Sequence, residues 1–383
     1  MASCDYLLQL AVNFFLMWQN QMITTTKDLK ALMERAHQTD AVALDTEFVW
    51  ERTYYPKLGL IQLALSNEEC FLIDPCALDD LSPLGELLAD KSVVKIFHDA
   101  PQDLSILRTA TGEDPQNIFD TRLAAGFSGL NSTLSLAALI ELLLDIKLEK
   151  TETRTNWLKR PLDHKQTEYA LDDVRYLRAV RVLLLARVLP ETMPWMEEEL
   201  QRLDTAANYL GVTDEERFTK IKGAGSLTPQ SLAILQELAT WRENEARKKN
   251  RPRGHIIKDT VLLSIARDHL SDHKSIEHCG EVSVKSVQAY GDTLIGCTTR
   301  GQKRPENECP APLRNNKLKS KEKTELTALQ DYIILKSDVN GIDPALIGNK
   351  NELVKCIKQI SPTDSRQKNG WRKQFLAEMK QGH

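Results

Sequence analysis

The sequence predicts an α/β domain, a mixed sheet flanked by helices, followed by small all-helical modules. Three observations carry this. Five short strand-like runs between residues 41 and 120 open as a three-strand meander and continue as alternating strand and helix, the order of a mixed sheet covered by helices. From Thr228 onward the apolar residues recur at helical spacing. The stretch GQKRPENECPAPLRNNKLKSKE (301–322), rich in Pro, Asn and Lys, reads as a linker that divides the helical part. The expected domains are an N-terminal extension (1–20), the α/β domain (21–210), a helical domain (211–300), the linker (301–322) and a second helical domain (323–383).

The elements follow in order. A helix is expected near 26–38. Ala41–Phe48 reads as a strand, with Val42 and Leu44 apolar. Leu58–Ala64 and Cys70–Ile73 are two further strands, joined by a hairpin turn at Ser66-Asn67-Glu68-Glu69. Then come a helix near 82–90, a strand at Val93–Phe97, a helix over 101–112 and a short strand near Ile118. Pro101 suits the first turn of that helix and Gly112 its end. A helix near 134–144 precedes one long helix, roughly Lys165 to Leu189, whose apolar stripe is Val174, Leu177, Val180 and Leu184. In the second half Thr228 caps a helix with Pro229 in its first position. Arg247-Lys248-Lys249-Asn250-Arg251-Pro252-Arg253 reads as a basic loop, and a helix follows from about Thr260 to Leu270. Past the linker, Thr324–Ser337, Pro344–Ile347 and Asn351–Ile360 are helical.

Five residues in three separate segments stand out: Asp45, Glu47, Asp103, Tyr169 and Asp173. Side chains alternate along a strand, so Asp45 and Glu47 share a face. Acids are depleted in strands, and burying two side by side is costly without a compensating cation. Asp103 falls in the first turn of its helix, where the dipole alone would favour an acid. Tyr169 and Asp173 are four apart on one helix face. Asp172, adjacent, points elsewhere and reads as a solvated acid. Four acids so arranged suit two divalent cations, Mg²⁺ or Mn²⁺. Such a pair is the usual machinery for cutting a phosphodiester with water. His98 could contact a substrate, although a core or loop histidine is the commoner role.

Composition narrows the classes. The 383 residues suffice for two or three domains. Residues 1–190 hold 19 Lys+Arg against 27 Asp+Glu, a net of −8; the remainder holds 31 against 27, a net of +4. The acidic half suits bound cations, and the basic half is the better candidate for phosphate backbone. A pI near 6.1 argues against a dedicated nucleic-acid coater and permits an enzyme that releases its substrate. Seven scattered cysteines without a C-x-x-C pair suit a reducing cytosol and give neither a disulfide framework nor a zinc site. His278-Cys279, the one close His/Cys pair, reads as structural. No stretch is long and apolar enough to span a bilayer. Tyr6–Trp18 is apolar but lacks the basic start and cleavage site of a signal peptide, so it reads as an upstream choice of start codon or a local extension packing on the domain.

The context of the five residues is specific. LDTEF (44–48) followed by TYYPKLGLIQL (53–63) resembles the first motif of the DEDD-superfamily 3′→5′ exonucleases, in its ribonuclease D form. HDAPQDLSIL (98–107) resembles the second motif. TRTNWLKRPLDHKQTEYALDDVRYL (153–177) is similar to the third, with its W-x-x-R-P-L lead-in and its Y-x-x-x-D core, the mark of the DEDDy subgroup. Asn156 and Asp99 depart from the residues common at their positions, and neither touches the five. Segment 226–300 resembles an HRDC domain, and GIDPALIGNKNELVKCI (341–357) with NGWRKQFLAEM resembles a second, more divergent one.

The resemblance implies a ribonuclease-H-like fold and two HRDC-type domains. It also implies a metal-dependent 3′→5′ exoribonuclease that trims structured RNA such as tRNA precursors. Asp45 would bridge both ions, Glu47 and Asp173 would complete the site beside the attacking water, and Asp103 would hold the second ion. A phenol with a pKa near 10 is a poor base, so Tyr169 is expected to orient the water. Arg247, Lys248, Lys249, Arg251 and Arg253 would grip RNA backbone. The expected setting is cytoplasmic and monomeric. Two alternatives stay open: a DNA 3′→5′ exonuclease, and an inactive RNA-binding scaffold. The ribonuclease D reading leans on the R-P-L lead-in and the HRDC segment, not on any residue that senses a 2′-hydroxyl.

Overall fold

The computed structural model describes residues 22–148, 155–279, 282–313, 318–358 and 366–377. The extension at 1–20, the Thr153-Arg154 start of the third motif, residues 314–317 of the linker and residues 359–360 lie outside them. The chain forms two compact units. One holds Val49 and the described residues before it, Leu58–Leu210 and the described residues from Leu318 on; the other holds Trp50–Lys57 and Gly211–Lys317.

The first unit is built on a six-stranded mixed sheet of β1 (Met22–Ile23), β2 (Ala41–Val49), β3 (Lys57–Ala64), β4 (Cys70–Ile73), β5 (Val94–Phe97) and β6 (Ile118–Asp120), in the order β1-β4-β3-β2-β5-β6. β3 and β4 pair antiparallel, Leu63 opposite Phe71. β2 with β5, and β5 with β6, pair parallel. Alternation along β2 sends Val42 and Leu44 to one face of the sheet and Ala41 and Ala43 to the other. Against the first face pack α1 (Thr26–Ala36), α2 (Ser82–Ala89) and α3 (Pro101–Thr111). Against the second pack α4 (Thr121–Phe127), α5 (Leu136–Leu144), α6 (His164–Arg175), α7 (Leu177–Leu185) and α8 (Met193–Gln201). The expected single helix over 165–189 is therefore two, broken at Tyr176. Asp163 starts α6 with a capping box: its carboxylate accepts from the Gln166 amide while the Gln166 side chain accepts from its own.

The second unit is helical: α9 (Pro229–Lys249), α10 (Arg253–Ile256), α11 (Asp259–Asp268), α12 (His273–Glu277) and α13 (Val284–Lys303). Its core includes Leu232, Leu235, Leu238, Ile265 and Leu294. α9 and α13 touch closely at Gly301, where a Cβ would fall 2.5 Å from Ile234 Cα. The expected basic loop is only partly a loop. Arg247, Lys248 and Lys249 form the last turn of α9, where cations suit the helix dipole, and Asn250 caps it in the left-handed conformation. α13 also runs three residues into the expected linker, to Lys303, past its expected start at 301.

Three further helices, α14 (Ser320–Val339), α15 (Lys350–Ile357) and α16 (Gly370–Ala377), belong to the first unit and share the core on the second face of its sheet. Trp371 stacks on Trp195 with ring centroids 5.4 Å apart and meets Phe127 edge-on at 5.3 Å. Arg372 (2% exposed) pairs with Glu199 (5% exposed), which also accepts from Trp371 Nε1 at 3.2 Å and from Arg366 at 3.0 Å. Removing one partner of a buried pair strands the other charge, so Arg372→Ala should destabilise the unit by about 3–5 kcal/mol. Urea unfolding measures this, and a loss below about 1 kcal/mol would show that the pair does not pin these helices. Among the described residues no helix is long and apolar enough to cross a membrane.

Candidate active site

β2 presents Asp45 and Glu47 on the same face, and α6 brings Asp173 to them. Each of the three offers an oxygen within 4.8 Å of the others. Thr46 points to the opposite face and donates its hydroxyl to Asp103 Oδ1 at 2.5 Å, which fixes the first turn of α3 beside the strand. Thr46 and Asp103 are both buried. Asp103 lies outside the group of three, yet its charge is felt by Asp45 and Glu47.

Burial pushes all four carboxyls up, and repulsion from neighbouring acids adds to it. Asp45 is held well above the usual carboxylate range by burial first and then by Asp103, Asp173 and Glu47. Glu47 is raised to about 8, by burial and then by Asp173 and Asp103. Asp103 and Asp173 each rise to about 7, burial again leading. Among the described residues no Lys or Arg is a leading influence on these four groups. A cluster of ionisable acids without a cationic side chain is poised to accept a cation, and all-oxygen donors suit a hard divalent one.

Tyr169 sits one turn before Asp173 on α6 and hydrogen-bonds to it. Burial and the surrounding acids push the phenol pKa above its ordinary value, so the hydroxyl keeps its proton. Its ring lies 6.2 Å from that of Trp157. Trp157 is buried against Gly59, where a Cβ would fall 2.7 Å from its carbonyl oxygen. Arg160 forks onto Asp74 at 2.6 and 2.7 Å and donates to the Gly59 and Trp157 carbonyls. The W-x-x-R-P-L segment is thus a clamp between β3, the end of β4 and the approach to α6. It sets where Tyr169 and Asp173 stand.

The remaining candidates are placed differently. Both ring nitrogens of His98 are engaged, Nδ1 with Thr121 Oγ1 at 2.8 Å and Nε2 with the Leu134 carbonyl at 3.2 Å, and burial pulls its pKa down to about 4. Asp172 is half-buried and bonded to Arg175 at 2.6 Å, so it is not the freely solvated acid expected. Arg247 forks onto Asp214 at 2.6 and 2.5 Å, Arg253 onto Glu243 at 2.5 and 2.7 Å, and Lys249 meets Glu245 at 2.9 Å. Lys248 and Arg251 are exposed. Two residues near the site escaped sequence reasoning. Thr46 had no signal beyond its place between two acids. Asp120, buried, accepts from the Asp99, Ala100 and Arg122 amides and so ties down the turn into α3. Its cap position ahead of Thr121 was the signal available.

A 3′-5′ exonuclease family model matches residues 20–188, and an HRDC domain model matches 231–298. The ribonuclease D of Desulfotalea psychrophila is 52% identical over 371 residues, covering 96% of this chain and 99% of that one. The chain belongs to the ribonuclease D family. The ribonuclease D of Escherichia coli is 33% identical over 365 residues, covering 94% of this chain and 96% of that one. Its crystal structure, described as that of an exoribonuclease involved in structured RNA processing, matches with a TM-score of 0.83 at 32% identity, over 94% of this chain and 96% of that one. As a ribonuclease D relative, the chain is a hydrolase, a 3′→5′ exoribonuclease acting on RNA. The mixed-sheet exonuclease domain and the HRDC module expected from its motifs are the ones it carries.

Proposed function

We propose that this exoribonuclease trims the 3′ ends of structured RNA such as tRNA precursors, releasing 5′-mononucleotides at a centre of two Mg²⁺ or Mn²⁺ ions. The observation that carries the reading is the cluster of Asp45, Glu47 and Asp173, whose oxygens lie within 4.8 Å of one another. Asp103 acts on Asp45 and Glu47, and no Lys or Arg among the described residues leads against the rise of their pKa values. Asp45, Glu47 and Asp173 would hold one ion, and Asp45 with Asp103 the other. Bound there, divalent cations lower the pKa of water and neutralise charge developing on the phosphate. Tyr169, kept protonated, hydrogen-bonds and orients the attacking water rather than taking its proton. Glu47 helps to position that water. Thr46 keeps Asp103 aimed, and the Arg160–Asp74 clamp keeps α6 in register with β2.

The choice of structured RNA is supported by the description of the E. coli relative and by the HRDC module. We take residues 21–210 as the exonuclease domain, 211–300 as the first HRDC domain and 323–383 as the divergent second, in a cytoplasmic monomer. Lys248 and Arg251 are the members of the 247–253 run best exposed to RNA backbone. One experiment tests the whole: the purified chain is incubated with a 3′-extended tRNA and a matched single-stranded DNA, with Mg²⁺ or with EDTA. Stepwise shortening of the tRNA extension in Mg²⁺, halted by EDTA, is expected. Equal cutting of the DNA would favour the DNA exonuclease. No cutting of either substrate in Mg²⁺ would favour the scaffold.

A further inference from the structure

The first unit contains a pocket of about 460 Å³ between the start of α3, α4, the end of α8 and the segments that precede α15 and α16. Three guanidiniums, Arg122, Arg202 and Arg366, line it together with three carboxyls, Asp99, Asp120 and Glu199. A fourth guanidinium, Arg372, stands behind the wall. It donates Nε to the carbonyl of Leu346, a wall residue, at 2.8 Å, and it pairs with Glu199. Each carboxyl is already engaged. Asp99 pairs with Arg122. Asp120 accepts from the Ala100 and Arg122 amides at 2.9 and 2.8 Å. Glu199 serves Arg366, Arg372 and Trp371 at once.

The donors are not all met. Arg366 Nε and Arg372 Nη2 are buried without a partner, and Arg372 as a whole is 2% exposed. Arg202, half-buried, has no carboxylate partner among the described residues. Burial, and then repulsion from Arg366 and Arg202, holds the Arg372 pKa below its ordinary value against the pull of Glu199. The three guanidiniums therefore crowd one another. A buried donor left unmade costs free energy, and like charges this close repel. Both costs fall if an oxyanion enters, because guanidinium forks match the oxygens of a phosphate group.

We infer that this pocket binds a free phosphate group, carried by inorganic phosphate or by a mononucleotide, and that the bound anion ties Arg366 and α16 to the end of α8. The orphaned donors lie below the surface, beside a Glu199 that is itself 5% exposed. A compact ion reaches them; a phosphodiester inside a polymer must bring two flanking sugars past the rim. The volume falls in the range of small-molecule sites and leaves room for the nucleoside of a mononucleotide. Arg366 and Arg372 serve the fold through Glu199, so Arg202 is the residue to vary.

The test is thermal melting of the 383-residue chain in EDTA, which keeps metal-bound anions away from the catalytic acids. In about 10 mM inorganic phosphate or 5′-AMP the wild type should melt about 3–5 °C higher than in sodium chloride of equal ionic strength. Adenosine should give no rise. A rise with 5′-AMP alone would assign the site to a mononucleotide, and a rise with both to the phosphate group by itself. Arg202→Gln should weaken phosphate binding, read by calorimetry, by about tenfold, and Arg202→Lys, which keeps the charge without the fork, should fall between. Arg187→Gln removes an exposed cation of the same unit outside the pocket and should bind like wild type. No rise over chloride with either anion, an equal rise with adenosine, or equal losses in the Arg202 and Arg187 variants would overturn the proposal. So would an Arg202→Gln chain that binds phosphate normally and 3′-extended tRNA more weakly, since the guanidinium would then serve RNA. The wild-type comparison needs no variant, so it decides the matter even if Arg202→Gln folds poorly.

Discussion

Asp45→Asn, like Asp173→Asn, should abolish cleavage while the chain stays folded. An amide oxygen is a weak ligand for a hard cation, and each of these acids contributes to the cluster whose oxygens lie within 4.8 Å of one another. The same change should alter stability in the metal-free protein. The four carboxyls titrate in the fold well above the ordinary range near 4, with Glu47 at about 8 and Asp103 and Asp173 at about 7. A carboxyl raised in the folded state favours folding while it stays protonated. That contribution is complete below about pH 4 and is lost as the pH rises through 7 to 8. Without metal, then, the wild-type chain should melt lower at pH 8.5 than at pH 5.5, and added Mg²⁺ should restore the difference. Asp45→Asn should flatten the dependence by removing one of the repelling charges. Thermal melts with and without EDTA read the stability, and gel assays read the cleavage. Near-normal turnover in Asp45→Asn would sink the metal assignment.

Tyr169→Phe should slow cleavage by roughly two to four orders of magnitude, the span usual for a group that positions a proton-bearing reactant. Only the hydroxyl is lost, and the ring keeps its place 6.2 Å from Trp157. Metal affinity should barely change. The Asp173 carboxyl, no longer held down by the phenol's hydrogen bond, should titrate higher than in the wild type. Single-turnover cleavage and calorimetric metal titration separate the two effects. A variant at full rate, or one that fails to bind metal, would show that the phenol does something other than orient water.

The sheet was legible because period-2 alternation and turn residues are local signals. Ala41–Val49, Lys57–Ala64 and Cys70–Ile73 lie within a residue of their expected bounds. β1 was not, since two residues make no period. α4, seven residues long with Gly126 inside it, gave too little pattern to see. The break at Tyr176 was hidden for the opposite reason. Val174, Leu177, Val180 and Leu184 keep their helical spacing straight through it, and all four are buried. Glycines in α13 disguised a helix, because Gly301 is required by the approach to Ile234 and reads locally as a breaker. Within the site, the shared face of Asp45 and Glu47 and the spacing of Tyr169 and Asp173 follow from the backbone alone. Thr46 to Asp103 and Arg160 to Asp74, partners 57 and 86 residues apart, follow from tertiary packing, and no periodicity announces them.

Trp371 and Phe375 complete the core that begins with Ala41 and Phe127, and between them the chain makes the whole second unit. On the ribosome, the sheet and the helices through α8 emerge first, with Phe127, Leu139, Val180 and Met196 still waiting for cover. The roughly one hundred residues of 211–317 then follow, on the order of ten seconds of synthesis. The helical unit, whose core draws mainly on residues 218–313, can close before the nuclease unit does. A chain ending near Leu210 lacks Leu329, Ile333, Trp371 and Phe375, and the face of the core that they cover is left open.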